Sequence, residues 1–109
     1  MGAQTNEDLA MTPREQLPSW QALKQHAEVL SHLSLGEMFA NDAQRFERFS
    51  LTLPTLLLDF SKQRIRPETY SALLRLAQEC NVENWRERLF RGDAINVTEN
   101  RPVLHTALR

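Results

Sequence analysis

Residues 49–60 read Phe49-Ser50-Leu51-Thr52-Leu53-Pro54-Thr55-Leu56-Leu57-Leu58-Asp59-Phe60. Residues 49–53 alternate apolar and polar side chains, which predicts a half-buried strand, and residues 56–60 predict a second strand with both faces partly covered. Proline cannot adopt the positive φ of the favoured two-residue turns, so the turn at Pro54 is of a less favoured type. This predicted β-hairpin near 49–60 makes the fold class mainly α with one short β-hairpin, an α+β fragment, because the flanking sequence is helical.

Before the hairpin, the first helical pattern runs from Leu17 to Leu33. Pro18 suits its first position, and apolar residues recur at spacings of three and four at Trp20, Leu23, Ala27 and Leu30. His26 and His32 fall outside this stripe and are expected to face solvent. Residues 34–37 form a capping box that predicts a short helix through Ala40. Residues 41–44 repeat the capping pattern and predict a further short turn carrying Phe46.

After the hairpin, Pro67 predicts the start of a third helix. Its predicted buried face consists of Tyr70, Leu73, Leu74, Ala77 and Cys80. Asn81 is the predicted cap of a fourth helix that begins at Val82 and ends at Gly92. The arginines late in that helix are predicted to form a solvated face rather than a ligand-binding patch; they are Arg86, Arg88 and Arg91.

The last predicted helix begins at Pro102, and its apolar face holds Val103, Leu104, Ala107 and Leu108. The chain ends at Arg109 inside this pattern, and so short a helix is marginal alone. We therefore expect the chain to be cut from a longer one. Residues 1–16 are expected to form a flexible leader and residues 17–109 a single helical segment with the hairpin.

Composition excludes several classes of function. The chain has 109 residues, 41% of them hydrophobic, and a net charge of -1. The basic character of a nucleic-acid binder is absent, and no apolar run approaches the roughly 18 residues needed to cross a bilayer. We read no secretory signal, so a cytoplasmic location is expected. A single cysteine and three scattered glycines exclude internal disulfides and glycine-rich phosphate loops. We therefore expect no metal and no cofactor.

No residue of the sequence is assigned a catalytic, substrate-binding or metal-binding role. Cys80 lies on an apolar face, and the carboxylate pairs Asp59 with Glu68 and Asp93 with Glu99 are ordinary in spacing. His105 lies beside Leu104 and Leu108, where a partly buried histidine that bonds the backbone is favoured over a catalytic base.

One segment carries a specific resemblance. Residues 89–99 read Leu89-Phe90-Arg91-Gly92-Asp93-Ala94-Ile95-Asn96-Val97-Thr98-Glu99, and Arg101, Val103-Leu104-His105 and Ala107-Leu108-Arg109 follow. This phrase resembles the N-terminal part of the glucose-6-phosphate isomerase family. Residues 58–65, Leu58-Asp59-Phe60-Ser61-Lys62-Gln63-Arg64-Ile65, are similar to the family's DYSKN motif. The resemblance covers roughly residues 17–109, and its departures include Asn100 where glycine is common and Pro102 where alanine is common.

The resemblance implies a larger α/β protein with sugar-isomerase domains, of which this chain is the N-terminal part, truncated before those domains. That family interconverts glucose 6-phosphate and fructose 6-phosphate in glycolysis and gluconeogenesis, as a cytoplasmic homodimer without a metal. A glutamate base moves a proton through a cis-enediol(ate), with arginine, histidine and lysine assisting. Those residues lie downstream, so none is carried onto this sequence. His105 and Arg109 are expected to act as scaffold.

The isolated chain is therefore expected to be inactive and to bind sugar phosphate only as part of the full-length enzyme. A stand-alone helical interaction module derived from this segment is the alternative. The apolar faces of residues 103–108 and of the hairpin are expected to be covered by downstream domains. Without those domains the chain is expected either to self-associate through these faces or to leave residues 102–109 frayed.

Overall fold

In chain order, the hairpin lies between two groups of helices in the structure, a computed structural model that describes residues 12–107. After a single 3-10 turn at Arg14–Gln16, the elements in chain order are α1 (Pro18–Leu30), α2 (Leu35–Ala40), α3 (Arg45–Arg48), β1 (Ser50–Leu53), β2 (Leu56–Asp59), α4 (Pro67–Glu79) and α5 (Val82–Arg91). The predicted fold class, mainly helical with one hairpin, is confirmed. Most of the predicted leader, residues 1–11, lies outside the described residues.

The two strands pair antiparallel, with Leu51 opposite Leu58 and Leu53 opposite Leu56. The predicted hairpin is confirmed, but the predicted half-burial of its strands is wrong. The leucines of both strands are between 52% and 59% exposed. Among residues 12–107, the helices pack beside the base of the hairpin and leave its strands uncovered.

Three aromatic rings cover the base of the hairpin. Phe60 donates its backbone N–H to the Phe49 carbonyl at 2.9 Å, which extends the strand pairing by one rung. The Phe49 ring is 1% exposed and lies 5.9 Å from the Phe60 ring. Tyr70 of α4 stacks on Phe60 at 6.0 Å between ring centroids. This cluster attaches the hairpin to α4. A two-stranded hairpin is at best marginally stable alone in water, so this packing against a helix stabilises it.

Helix α1 packs chiefly on α4, and the contact uses small and polar residues. Ala72 is fully buried, Thr69 and Ser19 are nearly so, and the Ser19 N–H donates to Glu79 Oε2 at 3.2 Å. Helix α1 begins at Pro18 as predicted but ends at Leu30, three residues before the predicted end. Residues 31–33 form a turn instead.

The predicted buried face of α4 is wrong by a rotation of about one residue. Tyr70, Leu73 and Leu74 are exposed, and Cys80 is only half-buried at the end of the helix. Thr69 and Ala72 face α1 instead, because their small side chains let two helices approach closely where leucines would hold them apart. The larger apolar residues are left on the outer side.

The helix caps are confirmed in part. Ser34 Oγ accepts from the Glu37 N–H at 3.1 Å, and Glu37 Oε2 accepts from the Ser34 N–H at 2.7 Å, so the capping box is present. The predicted cap at residues 41–44 is shifted, because Asp42 Oδ1 accepts the Gln44 N–H at 3.1 Å. Asn81 makes no capping hydrogen bond and instead adopts a left-handed φ of 58° between α4 and α5.

The helix predicted from Pro102 is wrong for the described residues. Residues 102–104 have no regular structure, and the Ala107 N–H donates to the Leu104 carbonyl in an isolated turn. Upstream, the backbones of Asn96 and Arg101 pair in both directions at 3.0 and 3.2 Å. Asn100 has a φ of 52°, a conformation that asparagine and glycine tolerate best. Leu108 and Arg109 lie outside the described residues.

Candidate functional site

Arg45 makes the densest polar contacts in the described part of the chain. It lies at the start of α3 and is 2% exposed. Its Nε donates to the Ser61 carbonyl at 2.8 Å, its Nη1 to the Ile65 carbonyl at 2.8 Å and its Nη2 to the Gln63 carbonyl at 2.6 Å. Burial lowers the pKa of the Arg45 guanidinium, which stays charged because arginine titrates far above neutral pH.

Two aromatic rings flank the same guanidinium. Its carbon lies 4.9 Å from the Phe49 ring centroid and 5.4 Å from that of Phe39. Stacking on these rings favours a buried cation and fixes the plane of the guanidinium group. Arg45 therefore joins α3, the base of the hairpin and the loop of residues 61–65, which we call the clamped loop.

Asp59 also binds the first residue of the clamped loop. Its Oδ1 accepts from the Ser61 Oγ–H at 2.6 Å and from the Ser61 N–H at 2.9 Å. These bonds favour the ionised form and lower the pKa of Asp59. The clamped loop exposes Lys62, Gln63 and Arg64. Asp59 is thus held ionised by structural hydrogen bonds, so it is poorly suited to act as a general acid or base near neutral pH.

The other carboxylates singled out in the sequence also serve local structure. Asp93 Oδ2 pairs with Arg91 Nη2 at 2.9 Å and with Arg88 Nε at 3.6 Å. Glu99 Oε2 accepts from the Asn96 side chain at 3.1 Å. Asp93 and Glu99 thus have separate local partners, in keeping with the ordinary spacing noted for them in the sequence.

The arginines late in α5 behave largely as a solvated face. Arg86 and Arg91 are exposed, whereas Arg88 is half-buried with its guanidinium 4.6 Å from the Trp85 ring. Arg88 and Arg91 already share Asp93 as a partner. They also lie at the C-terminal end of a helix, where the helix dipole opposes a bound anion.

The histidines differ from the sequence expectation at two positions. His32 is exposed as predicted, but His26 is half-buried and its Nδ1 lies 3.1 Å from Thr69 Oγ1. His26 lines a cleft of about 310 Å³ together with Arg66 and Glu68. His105 is exposed in the turn at residues 105–107, so the partly buried histidine favoured by the sequence is wrong.

In residues 12–107, no group of three or more His, Cys, Asp or Glu side chains is arranged to hold a metal ion. No helix in this range is long and apolar enough to cross a membrane.

The hairpin presents an exposed apolar surface. Leu51, Leu53, Leu56 and Leu58 share one face because paired residues of antiparallel strands point to the same side. We call this surface the leucine face. Phe49 and Phe60 continue it at the base, where Tyr70 covers them. The same face of the sheet is therefore buried at one end and open at the other.

Comparison with known proteins gives a consistent result. The family model described as phosphoglucose isomerase matches residues 59–109. The glucose-6-phosphate isomerase of Pseudoalteromonas translucida is 52% identical over 99 residues, which cover 91% of this chain and 18% of that protein. The enzyme of Nitrosospira multiformis is 48% identical with the same coverage. Glucose-6-phosphate isomerase 2 of Chromobacterium violaceum is 44% identical over all 109 residues, which are 19% of its length. The chain thus spans less than a fifth of these curated relatives.

Proposed function

Because its sequence places this chain in the glucose-6-phosphate isomerase family, we propose that it forms the N-terminal structural segment of an aldose–ketose isomerase acting on glucose 6-phosphate and fructose 6-phosphate. The observation that carries this proposal is the identity of 52% over 91% of the chain. The proposal extends to a cytoplasmic homodimer working in glycolysis and gluconeogenesis. Within that enzyme the segment contributes scaffold, and the proton transfer belongs to residues outside it.

Three carboxylates of the described residues support a scaffold role. Isomerisation through an enediol(ate) needs a base whose pKa lies near the working pH and whose oxygens can reach the sugar carbons. Hydrogen bonds lower the pKa of Glu37, Asp42 and Asp59, chiefly from Ser34, Arg48 and Ser61 respectively. Each of these carboxylates therefore stays ionised and bound to its own neighbourhood.

Phosphate binding also finds little support in this segment. A phosphate site normally combines free N–H groups at a helix N-terminus with unpaired basic side chains. Arg45 is committed to three backbone carbonyls, and Arg48 pairs with Asp42 at 3.0 Å. We therefore propose that the sugar phosphate binds elsewhere in the whole enzyme.

A coupled assay tests this proposal. The purified 109-residue chain is incubated with fructose 6-phosphate, and glucose 6-phosphate formation is followed through an NADP-dependent dehydrogenase. The full-length Pseudoalteromonas translucida enzyme serves as the positive control. The expected rate for the chain equals the no-enzyme background. Activity that scales with chain concentration through two purification steps would refute the scaffold role.

A stand-alone interaction module remains the second candidate, and the exposed leucine face is the observation that favours it. The two candidates differ in what the gene encodes. An open reading frame that continues after the codon for Arg109 into sugar-isomerase domains supports the enzyme segment. A stop codon at that point supports the module.

A further inference from the structure

We propose that a directed series of hydrogen bonds runs from Arg45 of α3 to His26 of α1 and couples these two helices through the first turn of α4. The series, which we call the relay, passes through the peptide unit between Ile65 and Arg66 and then through the Thr69 hydroxyl. All of its atoms belong to residues that the structure describes. The relay therefore depends neither on what covers the surface of the chain nor on the catalytic assignment.

The relay begins at one peptide unit that is held from both sides. The Ile65 carbonyl accepts from Arg45 Nη1 at 2.8 Å. The N–H of the same peptide unit, that of Arg66, donates to Thr69 Oγ1 at 3.2 Å. The carbonyl and the N–H share one conjugated plane, so a cationic donor on the carbonyl makes the N–H a stronger donor. The guanidinium thus acts on Thr69 through the backbone.

Thr69 fixes the direction of the next bond. A threonine hydroxyl has one hydrogen to donate, and its oxygen can accept. The oxygen accepts from Arg66, and within residues 12–107 its other hydrogen-bond partner is His26 Nδ1 at 3.1 Å. Thr69 is 6% exposed, so a hydroxyl hydrogen without an acceptor would be costly there. The hydroxyl therefore donates its hydrogen to Nδ1.

This direction assigns the tautomer of His26. A ring nitrogen that accepts a hydrogen bond carries no hydrogen, so the hydrogen of the neutral imidazole lies on Nε2. In the other tautomer, Nδ1–H and the Arg66 N–H would both donate to Thr69 Oγ1. The hydroxyl hydrogen would then have no acceptor among the residues that the structure describes. The geometry thus favours one tautomer of the two.

The relay joins two parts of the fold that have little else in common. Arg45 holds the clamped loop and the base of the hairpin, whereas His26 belongs to the pair of helices α1 and α4. All donors point the same way, from the guanidinium to the imidazole, so each bond polarises the next and strengthens it. A change at Thr69, in the middle, is therefore expected to be felt at both ends.

The experiment is NMR of the side-chain nitrogens in the 109-residue chain at about pH 8.5, where histidine side chains are neutral. The test variant is Thr69→Val, which has the branched shape of threonine without its hydroxyl. The matched control is Thr69→Ser, which keeps the hydroxyl. His32 is exposed and serves in the same spectra as the reference for a histidine outside the relay. Circular dichroism checks that each protein folds.

His26 is expected to be wholly in the Nε2–H tautomer in the original chain and in T69S, and to approach the tautomer mixture of His32 in T69V. The guanidinium resonances of Arg45 are expected to move in T69V and to stay in place in T69S. An Nδ1–H tautomer in the original chain overturns the proposal. Unchanged His26 tautomer or unchanged Arg45 resonances in T69V also overturn it.

A double-mutant cycle measures the coupling by urea unfolding. His26→Leu removes the acceptor, and it is expected to lower the folding equilibrium constant about fivefold less in the T69V background than in the original chain. The control His32→Leu is expected to have the same effect in both backgrounds. Additive effects of H26L and T69V overturn the proposal.

A second pair of variants decides the question if T69V does not fold. His26→Asn places a carbonyl oxygen near the position of Nδ1, so it can still accept from Thr69. H26N is expected to keep the folding equilibrium constant within about twofold of the original chain, whereas H26L is expected to lower it about fivefold. An equal loss in H26N and H26L would show that the acceptor is not what stabilises this contact, and it would overturn the proposal.

Discussion

Replacing Arg45 by alanine tests whether one buried guanidinium organises the clamped loop. A hydrogen bond to a charged group contributes about 1.5–3 kcal/mol, and a buried carbonyl left without a partner costs its full desolvation. The bond to Ser61 is buried, whereas those to Gln63 and Ile65 are only partly buried, so water can replace the latter two. We expect R45A to lower the free energy of unfolding by about 3 kcal/mol, counting the first bond fully and the others in part.

Urea unfolding followed by tryptophan fluorescence measures this loss. With a slope of about 1–3 kcal/mol per molar for a small protein, the midpoint is expected to fall by about 1–3 M urea. The matched control is Arg48→Ala, three residues later, which removes an exposed ion pair with Asp42 at 3.0 Å. That control is expected to cost less than about 1 kcal/mol.

Arg45→Lys separates geometry from charge. Lysine keeps the positive charge but lacks the planar fork that reaches three carbonyls, so R45K is expected to be nearly as unstable as R45A. If R45A costs no more than Arg48→Ala, the clamped loop does not depend on the guanidinium. A lysine variant as stable as the original chain would show that the charge alone suffices.

Two further predictions concern stability. Gly92 ends α5 with a φ of 79°, and an added Cβ would meet only Leu104 Cδ2, at an ordinary 3.7 Å. Gly92→Ala is therefore expected to lower the free energy of unfolding by about 1–2 kcal/mol through backbone strain alone, and an unchanged urea midpoint would contradict this. The pKa values of Glu37, Asp42 and Asp59 are lowered in the folded chain, so folding favours their ionised forms. Their contribution to stability is therefore complete above about pH 5 and is expected to be lost as pH falls through about 4 and below, and urea midpoints measured across this range would show no decline if the sign were wrong.

The hairpin illustrates what periodicity can and cannot predict. Alternation at residues 49–53 and the apolar run after Pro54 were enough to place both strands within a residue of their observed bounds. Their burial was not predictable, because burial depends on what packs over a strand and not on the strand itself. Helix α4 behaves in the same way, since its leucines mark an apolar face but the small residues Thr69 and Ala72 decide which side meets α1.

The polar contacts were harder to predict. In the sequence, Arg45 looks like an ordinary charged residue in a short helix, and only three-dimensional folding brings the carbonyls of Ser61, Gln63 and Ile65 around it. The one available signal was the length of chain between β2 and Pro67 that had no helix or strand to satisfy its carbonyls. His26 was misplaced for a similar reason, because its partner Thr69 lies 43 residues away.

The end of the chain shows the limit of local pattern reading. Pro102 and the apolar spacing after it predicted a helix, yet the described residues contain only a single turn there. A short helix needs a packing partner to offset the unfavourable free energy of nucleation, and the local sequence does not show whether such a partner exists.

The most direct measurement of the central claim is the isomerase activity of a chimera. This chain replaces the matching 18% of the Pseudoalteromonas translucida enzyme, with which it shares 52% identity. If the chain is an equivalent structural segment, the chimera is expected to fold and to convert fructose 6-phosphate. Its kcat/KM is expected to lie within about tenfold of the parent enzyme, which corresponds to about 1.4 kcal/mol in transition-state stabilisation. A chimera that folds and assembles as the parent does, yet shows no isomerase activity, would contradict the account.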